Sequence, residues 1–371
     1  MKIFHILSGK ANPNTLNGVN KVVDALSIQQ KRIGYDVTVC GVANNTVKRH
    51  HPQYDLRLFV KSKNPFKYPS SLLPFLLDNS DEDSVFHLHS AFILWYWPLV
   101  KSLLKAGRTH IFLTPHGAYI PANMISLSKR IAFSFFDSKI IQNVEAIHII
   151  GYHTENNYFV KSKAKRIVVI PNGCDCQFPN LEKNKNSQLV FGYMGRLAMK
   201  HKGLDTLIYA FADYKNKGGK GKLLLVGGGP DERKLKKIVD KEFVSNSVQL
   251  IGSLYGNEKI FFLQNISAFV SPSRWEGLPT ACLEAAASGC PLLVTVDTNL
   301  GKYISSYHAG IVISTTDRSE LTRALFDFEK VYENDSEYKR TCIASKKMIE
   351  EELNWEYITK RIITELYDKE G

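Results

Sequence analysis

Short apolar runs alternate with longer amphipathic segments along almost the whole chain, and this alternation most constrains what the sequence can fold into. Lys2–Leu7 is a strand-length apolar run. Val19–Gly34 then shows helical spacing through Val19, Val22, Val23, Leu26 and Ile33, and Asp36–Val42 returns to strand character. Val85–Leu88, His110–Thr114, Ala146–Ile150 and Ile167–Ile170 continue the series. A second series runs through Leu189–Tyr193, Lys222–Val226, Val248–Ile251, Ala268–Ser271 and Pro291–Val296. Leu204–Asn216, Asp231–Glu242, Glu258–Gln264 and Ala281–Ser288 have helical character between them. Such alternation predicts an α/β chain with two doubly wound parallel sheets.

Between the series, Pro171-Asn172-Gly173 is a turn signal and 179–187 is polar, so the domain boundary is expected near 171–188. The expected units are 1–171, 172–353 and a terminal segment 354–371. In that segment Trp355, Ile358, Ile362, Ile363 and Leu366 fall on or near one helical face. A length of 371 residues accommodates two domains of about 150 residues each. The six cysteines form no C-x-x-C, which argues for a reduced, cytoplasmic setting over a disulfide scaffold. The longest uncharged stretch, Ser84 to Val100, falls short of the ~18–20 residues of a spanning helix. It contains His87, His89 and Pro98 and reads as a buried strand followed by a helix, with Phe92, Trp95, Tyr96 and Trp97 packed in the core in preference to touching a bilayer interface.

The richest stretch runs from Ser271 to Pro291. A strand ends in a loop of small residues carrying Glu276, and a helix begins at or just after Pro279 and ends before Gly289. The free N–H groups of roughly residues 278–281, of which Pro279 has none, would then emerge at the carboxyl edge of a sheet as an anion site. Glu284 lies one turn further in, and both carboxylates are within reach of ligand hydroxyls. The same pattern also fits an ordinary strand–helix junction with two solvated glutamates.

Glu276 and Glu284 form an E-x₇-E pair within E-G-L-P…L-E-A…G-C-P, which resembles the signature of retaining GT-B glycosyltransferases of family 4. Further segments follow in the family's order. Gly195-Arg196-Leu197 with Lys202-Gly203 resembles its diphosphate loop, and Leu225-Val226-Gly227-Gly228-Gly229-Pro230 resembles its second-domain turn. Pro171-Asn172-Gly173-Cys174-Asp175 resembles its inter-domain turn, and Thr114-Pro115-His116-Gly117 its first-domain H-G motif. Asn17-Gly18-Val19 stands where the family usually has Gly-Gly. Together these cover about residues 1–300.

The resemblance implies two Rossmann-like domains facing a central cleft, with the last helix crossing back to the first domain. It implies a retaining transfer of a hexose or N-acetylhexosamine from a nucleotide sugar to a hydroxyl, without a metal or other cofactor. Arg196 and Lys202 would bind the diphosphate, where cations favour the departing charge. Glu284 would hold the ribose hydroxyls and Glu276 the donor sugar. His116 would contact the donor sugar or order the reacting centre, although a structural role fits a lone histidine as well. Gly18, Gly252, Ser253, Leu254, Gly277, Leu278, Pro279 and Thr280 would complete the donor site, and His89 and Asn17 would face the acceptor. E-G-L-P favours a UDP-sugar over a GDP-mannose-type donor.

Charge separates the two halves. Lys and Arg number 21 against 11 Asp and Glu up to residue 180, and 27 against 25 beyond it. A basic first half suits an anionic membrane or a pyrophosphate-linked lipid, through Lys61, Lys63, Lys67, Lys101, Lys105, Arg108, Lys129 and Arg130 beside Phe66, Tyr68, Phe133, Phe135 and Phe136. A solvated basic face is the alternative. The expectation is therefore a peripheral enzyme on the inner face of the cytoplasmic membrane, acting on a lipid-linked saccharide in bacterial O-antigen, capsule or exopolysaccharide synthesis. Nucleic acid is not the expected partner, since it would explain the charge but not the ordered motifs. A GT-B-fold sugar-nucleotide epimerase and a phosphorylase are the enzymatic rivals. Two metal-like patterns read as structural: Asp81-Glu82-Asp83 precedes its strand and suits a solvated turn, and His87-Leu88-His89 puts two imidazoles on one side of a strand without identifiable further ligands.

Overall fold

A computed structural model describes residues 1–12, 18–45, 50–119, 124, 126–151, 158–174, 185 and 187–368. The chain divides into two compact units, Met1–Asn172 with Trp355–Gly371, and Gly173–Asn354. Asn17 and most of the polar stretch after Cys174 lie outside the described residues.

In the first unit the described strands are β1 (Lys2–Ser8), β2 (Asp36–Ala43), β3 (Asp55–Val60), β4 (Val85–His89), β5 (Ile111–Thr114), β6 (Ala146–Ile149) and β7 (Ile167–Val169). They form one parallel sheet in the order β3-β2-β1-β4-β5-β6-β7. The strand order reverses between β1 and β4, the kind of switch point outside which α/β sheets bind ligands. Residues 3–7 of β1 and all of β4 are buried, as strands covered on both faces must be, and their apolar runs are interrupted only by histidines. Among them sit His5, His87 and His89, all fully buried, with His5 in register with His87 and Leu7 with His89.

The terminal segment packs into this unit. Trp355, Ile358, Ile362, Leu366 and Tyr367 share one core with Ile3, Val22, Leu26, Val37, Val85 and Phe112. Arg166 reinforces it by donating to the carbonyls of Glu365 and Leu366.

In the second unit the described strands are β8 (Val190–Met194), β9 (Lys222–Val226), β10 (Val248–Gly252), β11 (Ala268–Ser271), β12 (Leu292–Thr295) and β13 (Gly310–Ile313), in the order β10-β9-β8-β11-β12-β13. All neighbours are parallel and the reversal falls between β8 and β11. The core gathers Phe191, Phe211, Tyr214, Leu225, Val270 and Phe328 between the sheet and the helices Leu204–Asn216 and Arg318–Glu333.

Two strands differ from the sequence reading, which placed none at β3 or β13. β3 is an edge strand whose exposed Asp55 and Arg57 interrupt the apolar run, and β13 is only four residues long. Pro279 caps the helix Thr280–Ala287 in an extended conformation and does not occupy its first turn. The stretch from Ser84 to Val100 is β4 followed by the helix Tyr96–Lys105, with Trp95 and Tyr96 buried. Asp81, Glu82 and Asp83 form an exposed turn, as a solvated acidic loop should.

Candidate active site

The loops at the carboxyl ends of β8 to β12 are stitched to one another by backbone hydrogen bonds. Gly195 N donates to Val226 O at 3.0 Å, Leu197 N to Gly228 O at 3.0 Å, and Gly227 N to Gly252 O at 2.7 Å. Gly227, at φ 136°, is the glycine this junction demands, because a Cβ there would lie 1.9 Å from the Gly195 carbonyl. On the other side of the switch point, Arg274 N donates to His201 O at 2.9 Å and Glu276 N to Asp297 O at 3.0 Å. Asn299 Nδ2 donates to the carbonyls of both Glu276 and Gly277, at 2.9 and 2.8 Å, so the E-G-L-P loop has a fixed path.

Within this rim the structure brings Lys202 and Glu276 into direct contact, both mostly buried. The short helix Met199–Lys202 carries the lysine and ends at Gly203, where a φ of 64° and the 2.1 Å that would separate a Cβ from the Pro272 carbonyl oxygen exclude a side chain. Arg274 bolts that helix down. Its guanidinium donates to Met199 O at 2.7 Å, to both Asp205 oxygens at 3.1 and 3.2 Å, and to Thr206 Oγ1 at 2.7 Å. His201 stacks on Trp275 with ring centroids 5.3 Å apart and brings Nε2 within 3.7 Å of Glu276. Burial first, and then the Lys202 and Arg196 cations, hold its pKa below the usual imidazole value against the pull of Glu276. Arg196 itself is exposed at the rim.

Glu284 stands one turn into the helix Thr280–Ala287, and Lys259 Nζ lies 2.9 Å from its Oε1. The first amides of that helix have no intrahelical acceptors and suit an anion. Leu278 is buried while Thr280 is exposed. Gly252, Ser253 and Leu254 leave the end of β10, and Leu254 lines an apolar hollow of about 500 Å³ with Leu224, Ile251, Phe261, Phe262 and Ile266. The structure thus gathers the sequence-marked Lys202 and Glu276, and sets Glu284 beside Lys259, a partner the sequence reading missed together with His201 and Asn299. Arg274 lies within the Ser271–Pro291 stretch, but its clamp depends on a contact 69 residues away.

His89, His116 and Gly18 belong to the first unit. Gly18 opens the helix Gly18–Arg32 in open surroundings. His116 follows β5 in a left-handed backbone conformation, φ 50°, a costly position for a residue with a Cβ. Its Nε2 meets Nδ1 of His89 at 3.1 Å. Burial lowers the pKa of His116 to about 3 and that of His5 to about 4, and pushes His87 and His89 well below the imidazole range. Ring nitrogens of His5, His87 and His89 lie within 4.8 Å of one another, a spacing that could hold a metal ion. Both nitrogens of each of these rings already face a hydrogen-bonding partner, however, and a metal would have to displace some of those partners.

Comparison with known proteins agrees with this architecture. The family described as Glycosyl transferases group 1 matches residues 177–348, and Glycosyltransferase Family 4 matches residues 16–178. The chain is 30% identical over 184 residues to an uncharacterized glycosyltransferase of Methanocaldococcus jannaschii, covering 47% of this chain and 43% of that protein. It is 25% identical over 227 residues to the capsular polysaccharide biosynthesis glycosyltransferase CapM of Staphylococcus aureus, covering 57% and 58%. The matches therefore span about half the length of these relatives. Among solved structures, sucrose-phosphate synthase from Thermosynechococcus elongatus superposes with a TM-score of 0.72 at 18% identity, covering 99% of this chain and 98% of that one. HepE of Anabaena, in complex with UDP and glucose, gives 0.71 at 15% identity, covering 99% of each chain. With two adjoining family matches that together span residues 16–348 and sheets wound as in these structures, the chain belongs to the family 4 glycosyltransferases of GT-B fold.

Proposed function

We propose that the protein transfers a hexose or N-acetylhexosamine from a nucleotide sugar, UDP-linked by preference, to a hydroxyl of a lipid-linked saccharide in surface-polysaccharide synthesis. The carrying observation is the Lys202–Glu276 contact at the switch point of the second sheet, with Glu284 on the adjoining helix. Lys202 and Arg196 offer cations to a departing diphosphate, whose charge rises as the glycosidic bond breaks. Glu276 and Glu284 offer acceptors to sugar and ribose hydroxyls. The UDP and glucose bound by HepE and the capsule role named for CapM support the choice of donor and pathway class.

In this reading the transfer retains anomeric configuration, the leaving phosphate takes the acceptor's proton, and no metal is required. Incubation of the protein with radiolabelled UDP- or GDP-sugars and bacterial lipid extract, with and without EDTA, tests all three points. Label in the lipid phase from a UDP-sugar, unaffected by EDTA and α-linked when the donor is α-linked, is the expected result. Transfer from GDP-mannose alone replaces the donor, and an inverted product overturns the stereochemistry.

Membrane attachment is part of the same proposal. No helix among the described residues is long and apolar enough to cross a membrane. The segment Leu127–Asp137 instead exposes Leu127 (71%), Ile131 (50%) and Phe135 (62%) beside Lys129 and Arg130, and Phe66 is exposed and meets Phe136 at 5.5 Å between ring centroids. An apolar strip edged by cations suits a surface of anionic headgroups. Flotation with phosphatidylglycerol vesicles, lost at high salt and in Leu127→Ser/Phe135→Ser, is expected; indifference to vesicle charge contradicts it.

A further inference from the structure

Five histidines of the first unit lie along two hydrogen-bonded runs, one ending at Tyr367 and the other beginning at its neighbour Gln30, and the direction of both can be worked out from the far end. His148 Nε2 lies 2.8 Å from the carbonyl oxygen of Ile170. A carbonyl only accepts, so Nε2 carries the hydrogen and Nδ1 of the neutral ring is a lone pair. The Thr114 hydroxyl, 2.9 Å away, therefore donates to His148. Its oxygen accepts from Nε2 of His87 at 2.6 Å. His87 Nδ1 is then the acceptor for the Tyr367 hydroxyl, also at 2.6 Å.

With its one hydrogen donated to His87, the Tyr367 oxygen can only accept from any further partner. The Gln30 side chain is its polar neighbour, and the part of an amide that suits an accepting oxygen is the N–H. Gln30 Nε2 is buried with no acceptor in full hydrogen-bond geometry among the described residues, so turning it towards Tyr367 satisfies both groups best. That orientation leaves Gln30 Oε1 to accept from His5 Nε2 at 2.7 Å. His5 Nδ1 accepts from His89 Nε2 at 2.9 Å, and His89 Nδ1 from His116 Nε2 at 3.1 Å. His116 ends the second run, and its Nδ1 has no partner among the described residues. Burial keeps all five rings neutral near pH 7, the condition under which each has a single N–H.

We propose that the two runs together are a polarity lock: the Ile170 carbonyl, acting through Tyr367 and Gln30, fixes His116 as an Nε2–H imidazole whose Nδ1 accepts a hydrogen bond and cannot donate one. The ligand group that matches such a nitrogen is a hydroxyl, and on the transferase reading, on which this last step rests, it is a hydroxyl of a saccharide substrate. Tyr367, Gln30 and His148 are positioning residues in this scheme. A change at Tyr367, in the terminal segment, reaches His116 through Gln30, His5 and His89 without touching it.

The test is two-bond ¹⁵N–¹H correlation NMR of ¹⁵N-histidine-labelled protein at pH 7.5, with His116→Gln and His148→Gln giving the assignments. The lock predicts neutral Nε2–H rings throughout. An Nδ1–H or doubly protonated His116 overturns it. Tyr367→Phe and Gln30→Met provide two independent breaks. Each is expected to lower the Nε2–H preference of His116 about tenfold, the loss when one neutral hydrogen bond ceases to hold the polarity, while His148 stays unchanged on its carbonyl. If both variants fold and leave His116 a single Nε2–H tautomer, the two runs are structural only and the proposal fails. Addition of UDP-glucose or UDP alone separates the two readings. A His116 Nδ1 shift with UDP-glucose but not UDP is expected. Binding of both without that shift overturns the hydroxyl assignment, whereas binding of neither, with the tautomers as predicted, overturns the transferase reading and leaves the lock standing.

Discussion

Lys259 Nζ lies 2.9 Å from Glu284 Oε1, joining the helix Gly256–Asn265 to the helix that bears the second carboxylate of the E-x₇-E pair. Both side chains keep about 30% of their surface in water, so the pair contributes well under about 1 kcal/mol to stability. Glu284→Ala should therefore leave the denaturation midpoint almost unchanged while weakening nucleotide binding. Loss of charge-assisted hydrogen bonds to the ribose is worth about 1.5–3 kcal/mol, or roughly 10- to 150-fold in Kd by calorimetry. Equal nucleotide affinity in the two proteins would remove Glu284 from the site.

The contact between Lys202 and Glu276 is less exposed and behaves differently. Removing one partner strands the other's charge beside a mostly buried neighbour, whereas removing both does not. Lys202→Met and Glu276→Gln should each destabilise by about 1–3 kcal/mol, and the double variant by less than their sum. A urea-denaturation double-mutant cycle measures the coupling. Additive losses would show that the two groups do not share charge in the folded protein.

Arg274 makes a prediction about catalysis without contact. Its planar fork holds Met199 O, Asp205 and Thr206 together, and a lysine cannot reproduce that set. Arg274→Lys should lower kcat about tenfold or more by loosening the turn that carries Lys202, an effect equivalent to about 1.4 kcal/mol of lost positioning. Wild-type kcat in this variant would show that the clamp serves stability alone.

The histidine chain makes the first unit acid-sensitive. Above pH 6.5 the rings are neutral in folded and unfolded protein alike, and they contribute no pH dependence. Below 6.5 the unfolded chain binds protons that the folded one refuses until about pH 4 for His5 and His148 and about pH 3 for His116. Stability should therefore fall as pH drops through this window, by about 1.4 kcal/mol per pH unit for each ring once well below 6.5. Urea midpoints between pH 7.5 and 5 measure it, and a flat profile would mean that the rings are solvated or protonated in the folded state.

Much of the fold was legible because strands covered on both faces need mostly apolar runs, and β1, β4, β9 and β11 have them, broken in the first two only by histidines. β3 was not, since an edge strand with Asp55 and Arg57 facing water looks like a loop. In the candidate site, Lys202, Glu276 and Glu284 stand out because their loops have a compact local pattern. Lys259, Asn299 and the Arg274 clamp do not, because their partners are supplied by neighbouring strands and helices far along the chain. The histidine network is the extreme case. His87 and His89 could be placed on one side of a strand, but their bonds to His5, Tyr367 and His116 exist only once β1 pairs with β4 and the last segment packs beneath them.

Nucleotide binding by the second unit, through the E-x₇-E loop and its helix, is measured by thermal shift. The panel is UDP, GDP, ADP and TDP, each with and without magnesium, on wild type and Glu284→Ala. A nucleotide at 100 times its Kd stabilises by about 2.7 kcal/mol, a readily measured change in Tm. Selective stabilisation by UDP, the same with and without magnesium and diminished in Glu284→Ala, is the expected result. No shift with any nucleotide, or a UDP shift identical in the variant, would contradict it.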